Sequence, residues 1–344
     1  VRFLLVGLGN RGGMWAKILA AHAAARISGA VDPDPARRES FAAQHPGIAM
    51  FPDVQSGLAG VEADAVLLVT PPDGHLAQAR MVAAARLPLL AEKPLAADLQ
   101  EAAEIVRVME MAKLPLTVGL NFRFLPVSRA IRDLVASEAF GKAGFGQFTY
   151  QRNRDGMRPG LNRYPLTMRH PMMLEQSIHH LDLLRFAYGR EPEVVSCRTF
   201  NPPWSMYAHD ANVACLIGFE GGLEAQYLGT WAGGWNELQF EWRTDCADGV
   251  IIQRQLFKDL ATARTGDANL TSVLLPEAEA FFDDSLALLD AFIDAVQAGG
   301  PAPCDGRDHL RSLALCFAAI EASETGKSLR LSEFHRRSGL QMLA

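Results

Sequence analysis

The chain has 344 residues, with 33 Lys and Arg against 39 Asp and Glu and a net charge of −6. That length exceeds one small core and suits two domains. The slight acidity argues against a nucleic-acid footprint, and no apolar run is long enough to span a bilayer.

The first predicted element is a short apolar strand, Phe3 to Val6, which runs into Gly7-Leu8-Gly9-Asn10-Arg11-Gly12. Apolar residues then recur at helical spacing at Trp15, Ile18 and Leu19. A second apolar run ends at Ala30-Val31, and Asp32 follows. Strand, glycine turn, helix, strand and acid in that order form a dinucleotide-binding pattern. Gly7 allows the tight turn, Gly9 lets the backbone approach a pyrophosphate, and Gly12 lets the helix pack on the strand. Asn10 and Arg11 open the helix, whose N-terminal N–H groups suit phosphates. Asp32 is placed to accept the adenosine ribose hydroxyls, which favours NAD over NADP. Arg37 and Arg38 lie close enough in sequence to reach a 2′-phosphate, so NADP stays open.

Ala65 to Thr70 is a fully apolar strand, as expected in a parallel sheet covered on both faces. It ends in Pro71-Pro72-Asp73-Gly74-His75, at the carboxyl end of a strand, where open α/β sheets hold ligands. Thr70, Pro72 and His75 are therefore candidate cofactor contacts, as are Glu92 and Lys93 at the end of the next strand. Another apolar strand, Leu87 to Ala91, ends in Glu92-Lys93-Pro94. A cation at Lys93 falls near the expected nicotinamide and suits a substrate oxygen. Taken alone, it reads more readily as a strand-end lysine paired with Glu92. Asp98 is the expected N-cap of the next helix, and Leu116 to Gly119 is the last strand of this half.

Near residue 122 the pattern changes from βαβ units to hairpin-linked strands. A helix is expected at about 127–137 and a strand at 145–153, followed by a loop rich in Gly, Pro and Arg. That loop carries Arg152, Arg154, Arg158, Arg163 and Arg169, of which Arg152 and Arg163 are the leading substrate contacts. Helical spacing returns over about 172–188. Strand-like runs follow at 193–200, 211–219, 223–231, 237–243 and 250–255, and helices at about 284–298 and 307–325 close the chain. Glu220-Gly221-Gly222 predicts a hairpin turn. The expected domains are thus 1–122 and 123–344. The expected fold is α/β: a Rossmann domain, then an α+β domain with a large, mostly antiparallel open sheet.

Glu175, His179 and Asp182 lie at i, i+4 and i+7, one face of a regular helix. A histidine beside a carboxylate suits acid–base work near neutral pH. His180 is turned roughly 100° away and need not share that site. A metal needs three or four converging ligands, and Glu175, His179 and either His180 or His209 complete no such set, so none is expected. Five scattered cysteines, without a C-x-x-C pair, read as reduced core thiols. Such thiols predict a cytoplasmic protein, and a chain that begins on a core strand is expected to show no signal peptide. It begins with Val rather than Met, which leaves a removed leader open.

Together these residues resemble the glucose–fructose oxidoreductase, inositol dehydrogenase and rhizopine-catabolism (Gfo/Idh/MocA) family. The resemblance rests on Gly7 to Gly12, Asp32, Thr70 to His75, Glu92-Lys93-Pro94, Asn121-Phe122-Arg123 and the E-x-x-x-H-x-x-D run from Glu175 to Asp182. It implies NAD(P)-dependent hydride transfer at a secondary hydroxyl of a sugar, inositol or related polyol. Lys93 and His179 are then the catalytic pair, with Glu175 beside them, and Arg123 and His180 join the candidate substrate contacts. The family commonly has Asp where this chain has Glu175, and the extra methylene moves the carboxylate by roughly 1.5 Å. The resemblance further implies a dimer or tetramer built on the second domain's sheet. Two other activities occur on this pattern: glycoside cleavage by transient oxidation with held NAD, and dinucleotide sensing without catalysis. The presence of both Lys93 and His179 disfavours the second.

Overall fold

The computed structural model describes residues 1–157 and 163–343. The chain opens with alternating strands and helices: β1 (Arg2–Val6), α1 (Asn10–Ala21), β2 (Arg26–Val31), α2 (Pro35–Gln44), β3 (Ala49–Phe51), α3 (Val54–Gly60), β4 (Ala65–Leu68), α4 (His75–Ala84), β5 (Leu89–Ala91), α5 (Leu99–Met111) and β6 (Leu116–Val118). Next come α6 (Pro126–Ala136), β7 (Ala143–Gln151), α7 (Tyr164–Thr167), α8 (Ile178–Tyr188), β8 (Pro192–Phe200), β9 (Asn212–Phe219), β10 (Leu223–Thr230), β11 (Gln239–Cys246), β12 (Gly249–Gln253), β13 (Ala261–Arg264) and β14 (Thr271–Ser272). The chain closes with α9 (Asp283–Ala298), α10 (Gly306–Thr325), β15 (Leu329–Arg330) and α11 (Leu331–Arg337).

Two compact units result. The first takes Val1–Phe124 together with Glu279–Leu310; the second takes Leu125–Ala278 and Arg311–Ala344. The return of 279–310 to the first unit differs from the single break near residue 122 expected from sequence. The reason is packing. Leu288, Leu289, Phe292 and Ile293 of α9 join Phe3, Leu5, Trp15, Ile18 and Leu67 in one buried cluster. Removing four such side chains from water outweighs the cost of ordering the return of the chain.

The first unit is built on a six-stranded sheet in the order β3-β2-β1-β4-β5-β6, parallel throughout. Its central strands are apolar on both faces, as helices on both sides require. Local chemistry starts its helices. Asp34 caps α2 by accepting the Ala36 N–H, with Pro35 at the first helical position, and Asp98 caps α5 by accepting the N–H groups of Gln100 and Glu101. The order reverses between β1 and β4, and the glycine turn leaves the carboxyl end of β1 at that point. This is where doubly wound sheets hold their ligands.

The second unit holds a nine-stranded sheet in the order β14-β13-β12-β11-β7-β10-β9-β8-β15. Its pairs are antiparallel except for β7 with β10, which run parallel. The Glu220–Gly222 turn joins β9 to β10, with Gly221 and Gly222 both at positive φ. α8 covers the middle of one sheet face: His180 stacks on Phe148 and Tyr150 of β7, at 4.7 and 4.8 Å between ring centres. α8 stops at Gly189, which takes the left-handed conformation that glycine adopts without strain.

Among the described residues, no helix is long and apolar enough to cross a membrane.

Candidate active site

The dinucleotide side of the site is built by the turn between β1 and α1. Gly7 has φ of +102°, and a Cβ there would lie 2.7 Å from the Val69 carbonyl oxygen. A Cβ on Gly12 would lie 2.0 Å from the Gly7 carbonyl oxygen. Both positions therefore admit only glycine. Gly9, by contrast, faces open space, with the Arg37 guanidinium 3.8 Å from where its Cβ would be. No side chain caps the start of α1. Its first N–H groups, together with the positive end of the helix dipole, suit a pyrophosphate laid over Gly9, Asn10 and Arg11.

Asp32 is nearly buried, 3% exposed. Its Oδ2 accepts the Leu8 N–H at 2.8 Å and its Oδ1 the Asp34 N–H at 2.9 Å. These bonds aim the carboxylate across the glycine turn and leave each oxygen a lone pair for a ribose hydroxyl. Arg37 lies 3.7 Å from Asp32 and 3.6 Å from Asp34. Arg38 is turned inward, donating to the carbonyl oxygens of Asp32 and Pro33.

At the end of β4, Thr70 donates through Oγ1 to Gln78. Pro72 is buried, and so is His75. His75 sits between two main-chain oxygens, Thr70 O and Leu95 O, each 2.9 Å from a ring nitrogen. It thus ties the loop after β4 to the segment after Lys93. Burial holds its pKa below the usual histidine value, against the pull of the two carbonyls.

The end of β5 is more heavily braced. The Glu92 N–H pairs with the Leu68 oxygen, and the Gly119 N–H with the Ala91 oxygen. The Glu92 side chain is buried and turned toward α1. Its Oε1 accepts the Arg11 Nε–H at 2.5 Å and the Trp15 Nε1–H at 2.6 Å. Burial alone would raise its pKa, but the Arg11 charge, the Trp15 hydrogen bond and the neighbouring Lys93 outweigh it and hold the carboxyl below its usual range. Lys93 follows, half-buried, joined to Pro94 by a cis peptide bond. Beyond it, the Leu95 N–H donates to His309 Nε2 at 3.2 Å.

In the second unit, Met172–Ser177 form a π-helical stretch that leads straight into α8. Glu175 thus lies on the π-helical stretch, while His179 and Asp182 lie on the α-helix that follows, rather than all three on one regular helix. Glu175 accepts a hydrogen bond from the Tyr164 hydroxyl at 2.9 Å. His179 is 7% exposed. Asp182 is turned into the interior. It accepts from Ser312 Oγ at 2.6 Å, and Arg185 donates to the same hydroxyl at 2.6 Å while pairing with Glu191 at 2.7 Å.

The candidate substrate residues have varied surroundings. His180 is fully buried, with Nδ1 3.0 Å from the Tyr227 hydroxyl and Nε2 3.1 Å from the Gln176 amide. Burial pushes its pKa down to about 3, so it is a neutral core residue at working pH. Arg123 is ion-paired with Asp308. Arg152 and Arg163 are exposed, as is Arg169. Arg154 lies over the Trp231 ring at 4.5 Å. Arg158 lies outside the described residues. Nothing in the sequence pattern marks Tyr164 and Trp15 as polar partners. Each binds a carboxylate too distant along the chain for spacing to reveal.

Comparison with known proteins agrees with this geometry. The family described as "Oxidoreductase family, NAD-binding Rossmann fold" matches residues 1–120, and the GFO/IDH/MocA C-terminal domain matches residues 128–251. The inositol 2-dehydrogenase of Rhizobium meliloti (strain 1021) is 29% identical over 196 residues, 57% of each chain. The D-apiose dehydrogenase of Rhizobium rhizogenes (strain K84 / ATCC BAA-868) is 25% identical over 315 residues, 89% of this chain and 90% of its own. An oxidoreductase from Agrobacterium radiobacter, solved in complex with NAD+, L-tartaric acid and magnesium, superposes with a TM-score of 0.86 at 23% identity, covering 97% of this chain and 99% of its own. The chain belongs to the Gfo/Idh/MocA family of oxidoreductases and carries that family's NAD-binding Rossmann domain.

Proposed function

We propose that this protein is an NAD-dependent dehydrogenase acting on a secondary hydroxyl of a sugar, inositol or related polyol. The observation that carries the reading is the buried imidazole of His179, just past the π turn, with Glu175, four residues before it, held by Tyr164. Relatives that act on inositol and D-apiose support the substrate class. Bound NAD+ supplies the hydride acceptor. His179 takes the hydroxyl proton as the carbon–hydrogen bond breaks, because a carbinol releases hydride efficiently only when its proton leaves as well. Lys93 donates to the substrate oxygen and stabilises the negative charge that builds there. Glu175, held by the Tyr164 hydroxyl, is the third proposed catalytic group. Gly7, Gly9, Asn10, Arg11, Gly12 and Asp32 hold the dinucleotide, with Arg37, Thr70, Pro72 and His75 around it. Arg123, Arg152 and Arg163 remain the proposed substrate contacts. In this reading the second unit binds substrate, its open sheet face joins copies into a dimer or tetramer, and the enzyme works in the cytoplasm.

The test is a panel of monosaccharides, inositols and sugar acids scored for NADH formation. At least one should turn over, with NAD+ preferred over NADP+. On the best substrate, His179→Ala and Lys93→Met should each lower kcat by roughly 10²- to 10⁴-fold with NAD+ affinity unchanged. The double variant should lose less than the product of the two, since both groups act on one oxygen. Near-normal turnover in His179→Ala would remove the assignment. Tightly retained NAD without net NADH formation would point instead to transient oxidation of a glycoside.

A further inference from the structure

Glu92 stands in the sequence as a candidate cofactor contact, yet its carboxylate is turned away from open space. One oxygen, Oε1, receives both the Arg11 Nε–H and the Trp15 Nε1–H, and the residue is 8% exposed. Trp15 is fully buried in the core of the first unit. Arg11 is itself held over the Trp15 ring, 5.5 Å from its centre, and donates to Met14 Sδ. Around the other oxygen, Gly119 leaves the space: a Cβ there would lie 3.3 Å from Oε2. The carboxylate is thus enclosed by groups of α1 and the end of β6.

The residues after Glu92 are braced from the other side. His75 meets the Leu95 oxygen, and His309 accepts the Leu95 N–H. Lys93 therefore stands between two anchored positions, one before and one after it. Four side chains set the course of its backbone, and none of them is near it in sequence.

We propose that Glu92 and Trp15 are positioning residues. Their hydrogen bond locks the end of β5 to the helix behind the glycine turn, so that one rigid assembly holds both the dinucleotide and Lys93. This rests on the proposed role of Lys93 in hydride transfer. A displacement of about 1 Å at a reacting group, caused by a distant change, costs on the order of 10²-fold in rate. Trp15→Phe keeps the ring and removes only the N–H. Glu92→Gln keeps an acceptor for Trp15 and removes the charge that Arg11 and Lys93 face.

The experiment measures NAD+ binding by calorimetry, and kcat and KM on the best substrate. Trp15→Phe is expected to lower kcat roughly 10- to 100-fold while NAD+ affinity and substrate KM stay within about twofold. Glu92→Ala is expected to lower kcat to a similar degree, and Glu92→Gln, which keeps the acceptor for Trp15, to restore part of it. A merely structural role would lower the melting temperature and leave kcat of the folded enzyme in place. If Lys93→Met abolishes turnover while Trp15→Phe and Glu92→Ala keep normal kcat, the positioning role is overturned and the catalytic reading stands. If Lys93→Met itself turns over normally, the catalytic reading falls and takes this inference with it. Should Trp15→Phe fail to fold, the split between kcat and KM in Glu92→Ala and Glu92→Gln decides alone.

Discussion

Asp284, on α9, is 2% exposed and accepts a hydrogen bond from Asn121. Burial raises its pKa to about 6, against the lowering effect of Asn121. The unfolded value is near 3.9. The folded state therefore binds the extra proton between those two values, and the group costs stability as pH rises through about 6. Above that pH the full cost is present. Asp284→Asn should remove it, stabilising the protein at about pH 8 by up to about 3 kcal/mol relative to its effect near pH 4. Urea unfolding at the two pH values checks this, and an equal effect at both would refute it. His180 shows the opposite sign. Its folded pKa lies far below the usual value, so its contribution is complete above about 6.5 and is lost as pH falls toward 3. Nothing in the His179-His180 pair tells the two apart by composition. The sheet face that α8 covers makes one a core residue, while its neighbour is left with slight exposure.

At the scale of elements, the glycine turn and the caps were legible because their causes are local. Gly12→Ala puts a Cβ against the Gly7 carbonyl, so α1 must shift away from β1. NAD+ affinity should fall more than tenfold, with a loss of roughly 1–3 kcal/mol in stability. Asp98→Ala is the matched control. It removes the α5 cap, costs about 1 kcal/mol, and should leave NAD+ affinity alone. Calorimetric titration with thermal unfolding separates the two outcomes. The π turn before α8 was not legible. Its residues, Met172 to Ser177, have helical periodicity, and whether hydrogen bonds close at i+4 or i+5 depends on what the turn packs against. Met172, Met173 and Leu174 are all buried, which is a property of the folded unit rather than of the hexapeptide.

For the whole molecule, the nine-stranded sheet carries α8 on one face, and among the described residues the other face exposes side chains of β9 and β10. Along β10, Glu224 and Gln226 are exposed between buried Leu223, Ala225 and Tyr227. Leu216, the register partner of Gln226, is 49% exposed. Association of copies through this face should give a sedimentation mass at least twice the 37.5 kDa of the chain. Leu216→Glu should then shift the equilibrium toward monomer. A wild-type protein that sediments as a monomer at all concentrations would refute the assembly.

The sequence by itself determined the dinucleotide half. Apolar strands, a glycine turn in which Gly12 must clear the Gly7 carbonyl, and a carboxylate that caps the next helix each leave a pattern within a few residues, visible in the string. It also marked Lys93 and His179 as the chemically capable groups. The tertiary structure decided what surrounds them. The Glu92–Trp15 bond joins residues 77 positions apart, and the Asp182–Ser312 bond spans 130. The return of α9 to the first unit follows from the burial of Leu288, Phe292 and Ile293 against Phe3 and Trp15. Such pairings depend on which surfaces meet once the chain is compact. Residue spacing does not encode that, because burying an apolar face sets no condition on how far away in sequence its partner lies.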